Sequence, residues 1–489
     1  MARSTKRYAL LASLVSASLS CSGSEAPNGL SELSSSALAA PEPVRFYAYE
    51  CKAKLKPMAW FGMSPDERTL LTAGVIEPSE LPEGAEPTET GLVDAWSLER
   101  GERQFTFHLG SAVVAVESLV VAFDPMSRYA FSPGGVDGSG QTAVAWDLAK
   151  GTTTRLGPSI AYPVMAKVSD DGRLVAMVGG TAELLTIDVD GMKILGRQDF
   201  AESHSVEVGF SKDGRVLIHR IGDLSLILRD PTSLGTIATF EGLSDVSQDG
   251  SLLATVSQSQ AALFDANTGT KLRDLEITSD LSDVLSVSFS PDARVVGLVV
   301  NATLIVFDVS TGKRLAEVNA PTAHTVEWTP DGQALLTGWT LWNTKTWTAT
   351  EIAGPISMRP GQGHLFDRFE GDSLIETDAL TLKPTGRAYD LKGGGSAGGI
   401  PWYVFTKSGK HIVFHNGADN TIRLLRTSDH ALLDLGVAII DGVSHGFTAT
   451  PEGSYDGPEA AIGCAPKTGR GRRVVPGLMK RFLAGEALN

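Results

Sequence analysis

A single phrase recurs about every forty residues along this 489-residue chain. It reads as an apolar residue, Ser or Thr, a Pro-Asp-Gly-like turn and an apolar run. The phrase stands as "MSPDERTLLTAG" at Met63, "VSDDGRLVAMVG" at Val168, "FSKDGRVLIHRI" at Phe210, "VSQDGSLLATVS" at Val246, "FSPDARVVGLVV" at Phe289 and "WTPDGQALLTGW" at Trp328. Weaker copies begin at Phe123, Met358 and Phe405. Asp171, Asp213, Asp249 and Asp292 mark equivalent turn positions, 42, 36 and 43 residues apart. A fixed period of this length means repeated supersecondary units, and it excludes most other fold classes.

The chemistry of each unit is mechanical. Pro presets φ at the second turn position, Asp suits the third and Gly the fourth, so two strands reverse tightly. The run that follows, such as "RVVGLVV", is β-branched and apolar on both faces, as a strand covered on both sides must be. Then comes a third apolar strand, an Asp or Asn turn ending in Gly, and a charged outer strand, as in "LIVFDVSTGKRL" and "AALFDANTGTKL". One such four-stranded antiparallel unit cannot hide both faces, so the units must stack, and radial stacking closes a ring. The expected fold class is all-β: a single closed β-propeller of about eight blades, with seven to nine allowed. A disordered N-terminal segment and a short C-terminal helix or tail flank it.

The pattern, with the literal dipeptide Trp146-Asp147, resembles WD40-type propellers, over about Val44 to Cys464. The Gly-His pair that usually opens those repeats is absent. His204 and His324 stand near its position, but Ser203 and Ala323 precede them. The resemblance is to the degenerate bacterial branch, without an assumed His–Asp network. The stretch "HGFTATPEGSYDGPEAAIG" is similar to the element that closes many such propellers. The resemblance implies a protein–protein interaction scaffold that binds through top-face loops.

Residues 1–20 carry Arg3, Lys6 and Arg7 ahead of a short apolar stretch, Tyr8 to Leu19, which is a secretory signal and too short to span a membrane. Cys21 then resembles a bacterial lipoprotein lipidation site, although Ser18 stands where that motif usually has Leu; cleavage without a lipid is the alternative. Residues 21–43 read as a linker, 44–464 as the propeller and 465–489 as a basic tail. The expected location is the bacterial envelope, anchored through Cys21 and facing the periplasm or the cell surface. The other cysteines, Cys51 and Cys464, flank the repeats and would meet if the ring closes. They either pair as a disulfide or remain two small buried thiols.

The net charge of −15 argues against nucleic acid, which needs clustered Lys and Arg. A protein partner and a monomeric chain are expected. The leading contact candidate is the acidic insertion 76–90, "IEPSELPEGAEPTET", with Glu77, Glu80, Glu83, Glu86 and Glu89. In the tail, Pro476 at a first helical turn and Leu478, Met479, Phe482 and Leu483 predict a short amphipathic helix. It docks either on a partner or anionic membrane, or on the chain's own body.

No catalytic, cofactor or metal constellation is legible. Gly393, Gly395 and Gly398 satisfy GxGxxG, but a strand follows where a helix is needed. His411 and His415 lie on a strand, about 13 Å apart at 3.3 Å per residue. Asp188-Val-Asp190-Gly191 and Asn416 to Asn420 are ordinary hairpin chemistry, short of a calcium loop. The tryptophans at 96, 146, 328, 339, 342 and 347 mostly fall at strand positions that pack between blades, with one or two left to line a top-face pocket that the sequence does not single out. The runner-up function is a propeller enzyme, hydrolase, lactonase or quinoprotein-like, with its site in the central channel; fold alone does not argue for it. A lectin-like polymer binder is a third reading, but no exposed aromatic recurs at a fixed turn position.

Overall fold

The computed structural model describes residues 54–55, 58–75, 91–110, 120–132, 142–159, 163–179, 183–199, 206–220, 224–258, 260–277, 281, 283–352, 356–358, 365–370, 373–391, 403–406, 408–416, 421–440, 443–451, 453–457 and 473–486. Among these residues there are nine sheets, each beginning with four antiparallel strands in sequential order. The blades span 58–110, 122–159, 163–199, 206–241, 243–274, 284–319, 327–351, 356–390 and 403–440. Each of the nine turn phrases therefore owns a blade. The count lies at the top of the expected range, one above the point estimate.

Blade 6 shows how the sequence dictates the layers. Its second strand Val295–Val300 and third strand Thr303–Asp308 are buried on both faces after their first residue, apart from the half-buried Asp308 that opens the next turn. The fourth strand, Arg314–Asn319, alternates exposed and half-buried positions. First strands of neighbouring blades approach one another, as in blades 3 and 4 and blades 5 and 6, which puts them at the axis.

An apolar cluster fills every junction. Phe107 of blade 1 stacks on Trp146 of blade 2 at 5.5 Å. Successive clusters then join blades 2 and 3, 3 and 4, 4 and 5, 5 and 6, 6 and 7, 7 and 8, and 8 and 9. The ring closes where Phe61, Leu70, Leu92 and Trp96 of blade 1 share a core with Val413, Ile422, Leu424, Leu433 and Leu435 of blade 9. Each such side chain contributes about 1.5–3 kcal/mol on leaving water.

Blade 9 is wider than the others. Its fourth strand, Leu432–Ile440, pairs with Lys54–Leu55 on the same edge as the third strand, and with Val443–Ala449 on the other. The Thr-Pro-Glu-Gly fragment supplies the turn from Val443–Ala449 into Ser454–Asp456, and Arg473–Val474 adds in parallel. That fragment enlarges the last blade rather than forming a tenth.

Helix α1, Leu478–Leu483, sits on the blade 9–blade 1 junction with Leu478, Met479 and Phe482 buried in the shared core. Pro476 precedes the cap residue Gly477 instead of occupying the first turn. The Asp456 carboxylate accepts from the N–H groups of Gly477 (2.7 Å) and Leu478 (3.2 Å), satisfying donors that a helix start leaves open. The tail's apolar face is thus spent on its own ring. No helix among the described residues is long and apolar enough to cross a membrane.

Candidate functional site

Strand order divides the ring into two faces. One carries the short turns joining first to second and third to fourth strands. The other carries the second-to-third connections and the links between blades.

On the turn face the carboxylates are used internally. Ser290 Oγ donates to Asp292 Oδ1 at 2.7 Å, and the Arg294 N–H donates to the same oxygen at 3.1 Å. Ser64 with Asp66, Ser169 with Asp171 and Ser247 with Asp249 repeat the arrangement. Burial pushes the Asp292 and Asp66 carboxyls up, but the hydroxyl and backbone donors outweigh it and hold both below the usual carboxylate range. The residue after each Asp is left-handed even where it is not glycine: Glu67 at φ 59°, Ala293 at φ 54°. Asp188 and Asp190 belong to such turns: Asp188 accepts from the Gly191 N–H at 3.1 Å, and Asp190 lies 3.5 Å from Arg128 Nη1.

Near the axis, polar groups tie blades 4 to 7 together. Ser244 Oγ and His219 Nδ1 are 3.1 Å apart. The Phe289 N–H donates to Asp245 Oδ2 at 2.7 Å, the Val326 N–H to Ser286 Oγ at 3.1 Å, and Trp328 Nε1 to the Ser288 carbonyl at 3.3 Å. Burial pulls His219 down to about 4 and pushes Asp245 up. These contacts are lateral ties between inner strands. Glu327, also on an inner strand, differs: its side chain is open to solvent yet walled by enough protein that desolvation raises its pKa. Among the described residues no group of three His, Cys, Asp or Glu side chains could hold a metal ion.

The feature that stands out on the loop face is Trp339, 51% exposed in the turn between the second and third strands of blade 7. Trp96, Trp146 and Trp342 are buried between blades, and Trp339 is the one that departs from that default. Its turn is held closely. Gly338 has φ 58°, and a Cβ there would lie 2.3 Å from the Thr322 carbonyl in the link from blade 6. The Ile352 N–H donates to the Trp339 carbonyl at 2.8 Å. Exposed His324 lies in the same link, and exposed Glu351 pairs in register with Thr340. A rigid turn thus presents an indole to solvent, with the exposed Glu351 on the adjoining fourth strand. The sequence signal was "TGWT", a Trp following Gly in the shortest blade, where no strand position remains for it.

Cys21, Cys51, Cys464, Glu77, Glu80, Glu83, Glu86 and Glu89 all lie outside the described residues, as do His204, the 393–398 glycines and Asp419. Val75 pairs with Gly91, so segment 76–90 leaves and rejoins the ring on the face that carries Trp339. His411 lies on strand His411–Asn416 with its ring 5.8 Å from Phe482, and His415 is half-buried on the same strand. Asp147 of the Trp-Asp pair caps its turn, accepting from the N–H groups of Ala149 and Lys150.

No family model and no curated protein matches this chain. Among solved structures, the C-terminal WD40 domain of Sif2 aligns with 60% of this chain and 92% of its own length, at 14% identity and a TM-score of 0.43. The fold assignment rests on the molecule's own nine sheets and nine shared junctions, which make it an all-β closed propeller.

Proposed function

We propose that this chain is a non-enzymatic protein–protein interaction scaffold of the bacterial cell envelope, binding through the loop face that carries Trp339. The observation behind this reading is that exposed indole on a rigid turn. Exposed aromatics on a preorganised frame are the side chains that dominate interface energies. Export rests on residues 1–20 and the membrane anchor on Cys21.

The test is a pull-down from solubilised membranes with the full-length chain, beside Trp339→Ala, a 76–90 deletion and Cys21→Ala. Loss of a specific partner in Trp339→Ala, with unchanged thermal unfolding, supports the face. Equal capture by wild type and Trp339→Ala removes it. Movement of Cys21→Ala alone out of the membrane fraction supports the anchor. A stoichiometric metal or quinone on the purified mature chain would replace the scaffold with the channel-enzyme reading.

A further inference from the structure

The loop face of blades 6 and 7 has an uneven charge distribution. Among the described residues of blades 5 to 7, the lysines and arginines are Lys271, Arg273, Arg294, Lys313, Arg314 and Lys345. Each lies in a turn of the opposite face or on a fourth strand. Lys271 and Arg314 are in addition paired with Asp274 and Glu317 on their own strands. None of the six lies at a second-to-third connection or in a link between blades.

The carboxylates are distributed the other way. Exposed Asp283 stands at the entry to the first strand of blade 6, its carbonyl accepting from the Asn301 N–H at 3.1 Å. Glu327 lies on the first strand of blade 7, and Glu351 crosses from the turn that carries Trp339. Among the described residues no cation offsets the desolvation of Glu327, so an arriving positive charge gains more there than at an open surface carboxylate. The turn joining the two strands between those of Glu327 and Glu351 carries the largest exposed aromatic of the described residues, whose face attracts ammonium and guanidinium groups. Charge complementarity and the indole select the same occupant.

We propose that this surface captures a protein segment bearing several lysines or arginines, with one cation over Trp339 and the others met by Glu327, Glu351 and Asp283. The inference rests on the scaffold reading and names the partner's chemistry at that face.

The test uses the full chain and three labelled eight-residue peptides, oligolysine, oligoglutamate and Gly-Ser, followed by fluorescence anisotropy at two salt concentrations. Oligolysine should bind, more weakly at high salt, and the other two should not. Trp339→Ala and Glu327→Gln should each weaken binding about three- to thirtyfold, the span of one cation–π or partly desolvated charge contact. The opposite-face variants Asp171→Asn and Asp292→Asn should leave it unchanged. Both test side chains are solvent-accessible, so unchanged thermal unfolding is expected and guards against misfolding. No oligolysine binding, or binding that only the opposite-face variants weaken, overturns the proposal. Capture of a membrane partner that Trp339→Ala abolishes but Glu327→Gln and Glu351→Gln leave intact overturns the basic segment while preserving the scaffold face.

Discussion

The Arg426 guanidinium lies 5.0 Å over the Phe482 ring and donates through Nη1 to the carbonyl of that same residue at 2.5 Å. Its Nη2 donates to the Glu486 carbonyl at 3.2 Å, and Asp429 holds the guanidinium from the other side. One arginine of blade 9 thus completes the end of the helix that Asp456 begins. Phe482→Ala should cost about 3–5 kcal/mol, the range for a buried aromatic. Arg426→Ala should approach it, because the helix carbonyls lose a buried charged donor. Denaturant midpoints check both. A midpoint unmoved by Phe482→Ala would mean that the helix does not hold the seam.

The left-handed turn residues predict opposite effects for two substitutions. Ala293 pays about 1–2 kcal/mol for its φ of 54°, while Gly there loses about 0.5–1 kcal/mol of chain entropy. Ala293→Gly should therefore stabilise by about 0.5–1 kcal/mol. Gly101 has φ 72°, and a Cβ would meet the Lys480 backbone nitrogen at 2.3 Å. Gly101→Ala should destabilise by more than the φ cost alone, since it pushes against α1. Thermal unfolding of the two variants must move in opposite directions.

Arg423 and Asp434 form a buried pair between the third and fourth strands of blade 9, with contacts of 2.5 and 3.1 Å. Removing one partner leaves an uncompensated buried charge, so Asp434→Ala should cost about 3–5 kcal/mol. The double variant Arg423→Met with Asp434→Leu should recover most of that loss. If the double variant is as unstable as the single one, the pair is essential for more than charge balance.

Acidification should act in two windows. Burial holds His219 and His411 at about 4, with Arg426 and Lys410 assisting at His411, against an ordinary 6.5. The unfolded chain binds more protons between these values, so this stability is complete above pH 6.5 and is lost as pH falls towards 4. Hydrogen bonds from Ser251 to Asp249, and from Ser310 and Thr311 to Asp308, hold those carboxyls below 3.8, so their contribution fades only under that pH. Denaturant midpoints from pH 7 to 4 should fall, and His219→Gln should flatten the slope. A flat wild-type profile would contradict a neutral, buried His219.

Much of the ring was legible because its turns are local. Ser-Pro-Asp-Ala at Ser290 or Asp-Ala-Asn-Thr-Gly at Asp265 encodes a reversal within five residues, and each predicted phrase begins a blade. What stayed hidden was non-local or paid for by context. Leu234, Trp347, Leu382 and His430 adopt φ of 54–60° where the repeat elsewhere uses glycine, because an Asp, Asn or Arg carbonyl four residues earlier accepts their N–H. The helix's apolar face could be read, but not its seat, which Gly101 and Arg426 supply from distant blades. Which tryptophan faces solvent was not legible, because the strand-like neighbours of Trp339, Thr337 and Thr340, conceal a two-residue reversal.

Arg103 of blade 1 reaches Asp94 on its own sheet, and Ser444, 341 residues away, beyond the last blade's fourth strand. Every other junction joins neighbours in sequence, so eight of the nine can assemble as an open arc by local zipping. The ninth must bring together segments separated by nearly the whole ring and overcome the loop entropy of that separation at once. Until it does, the apolar flanks of blades 1 and 9 face water together, offering one unfinished chain's edge to another's. Closure of the seam is therefore where folding speed and loss to aggregation compete.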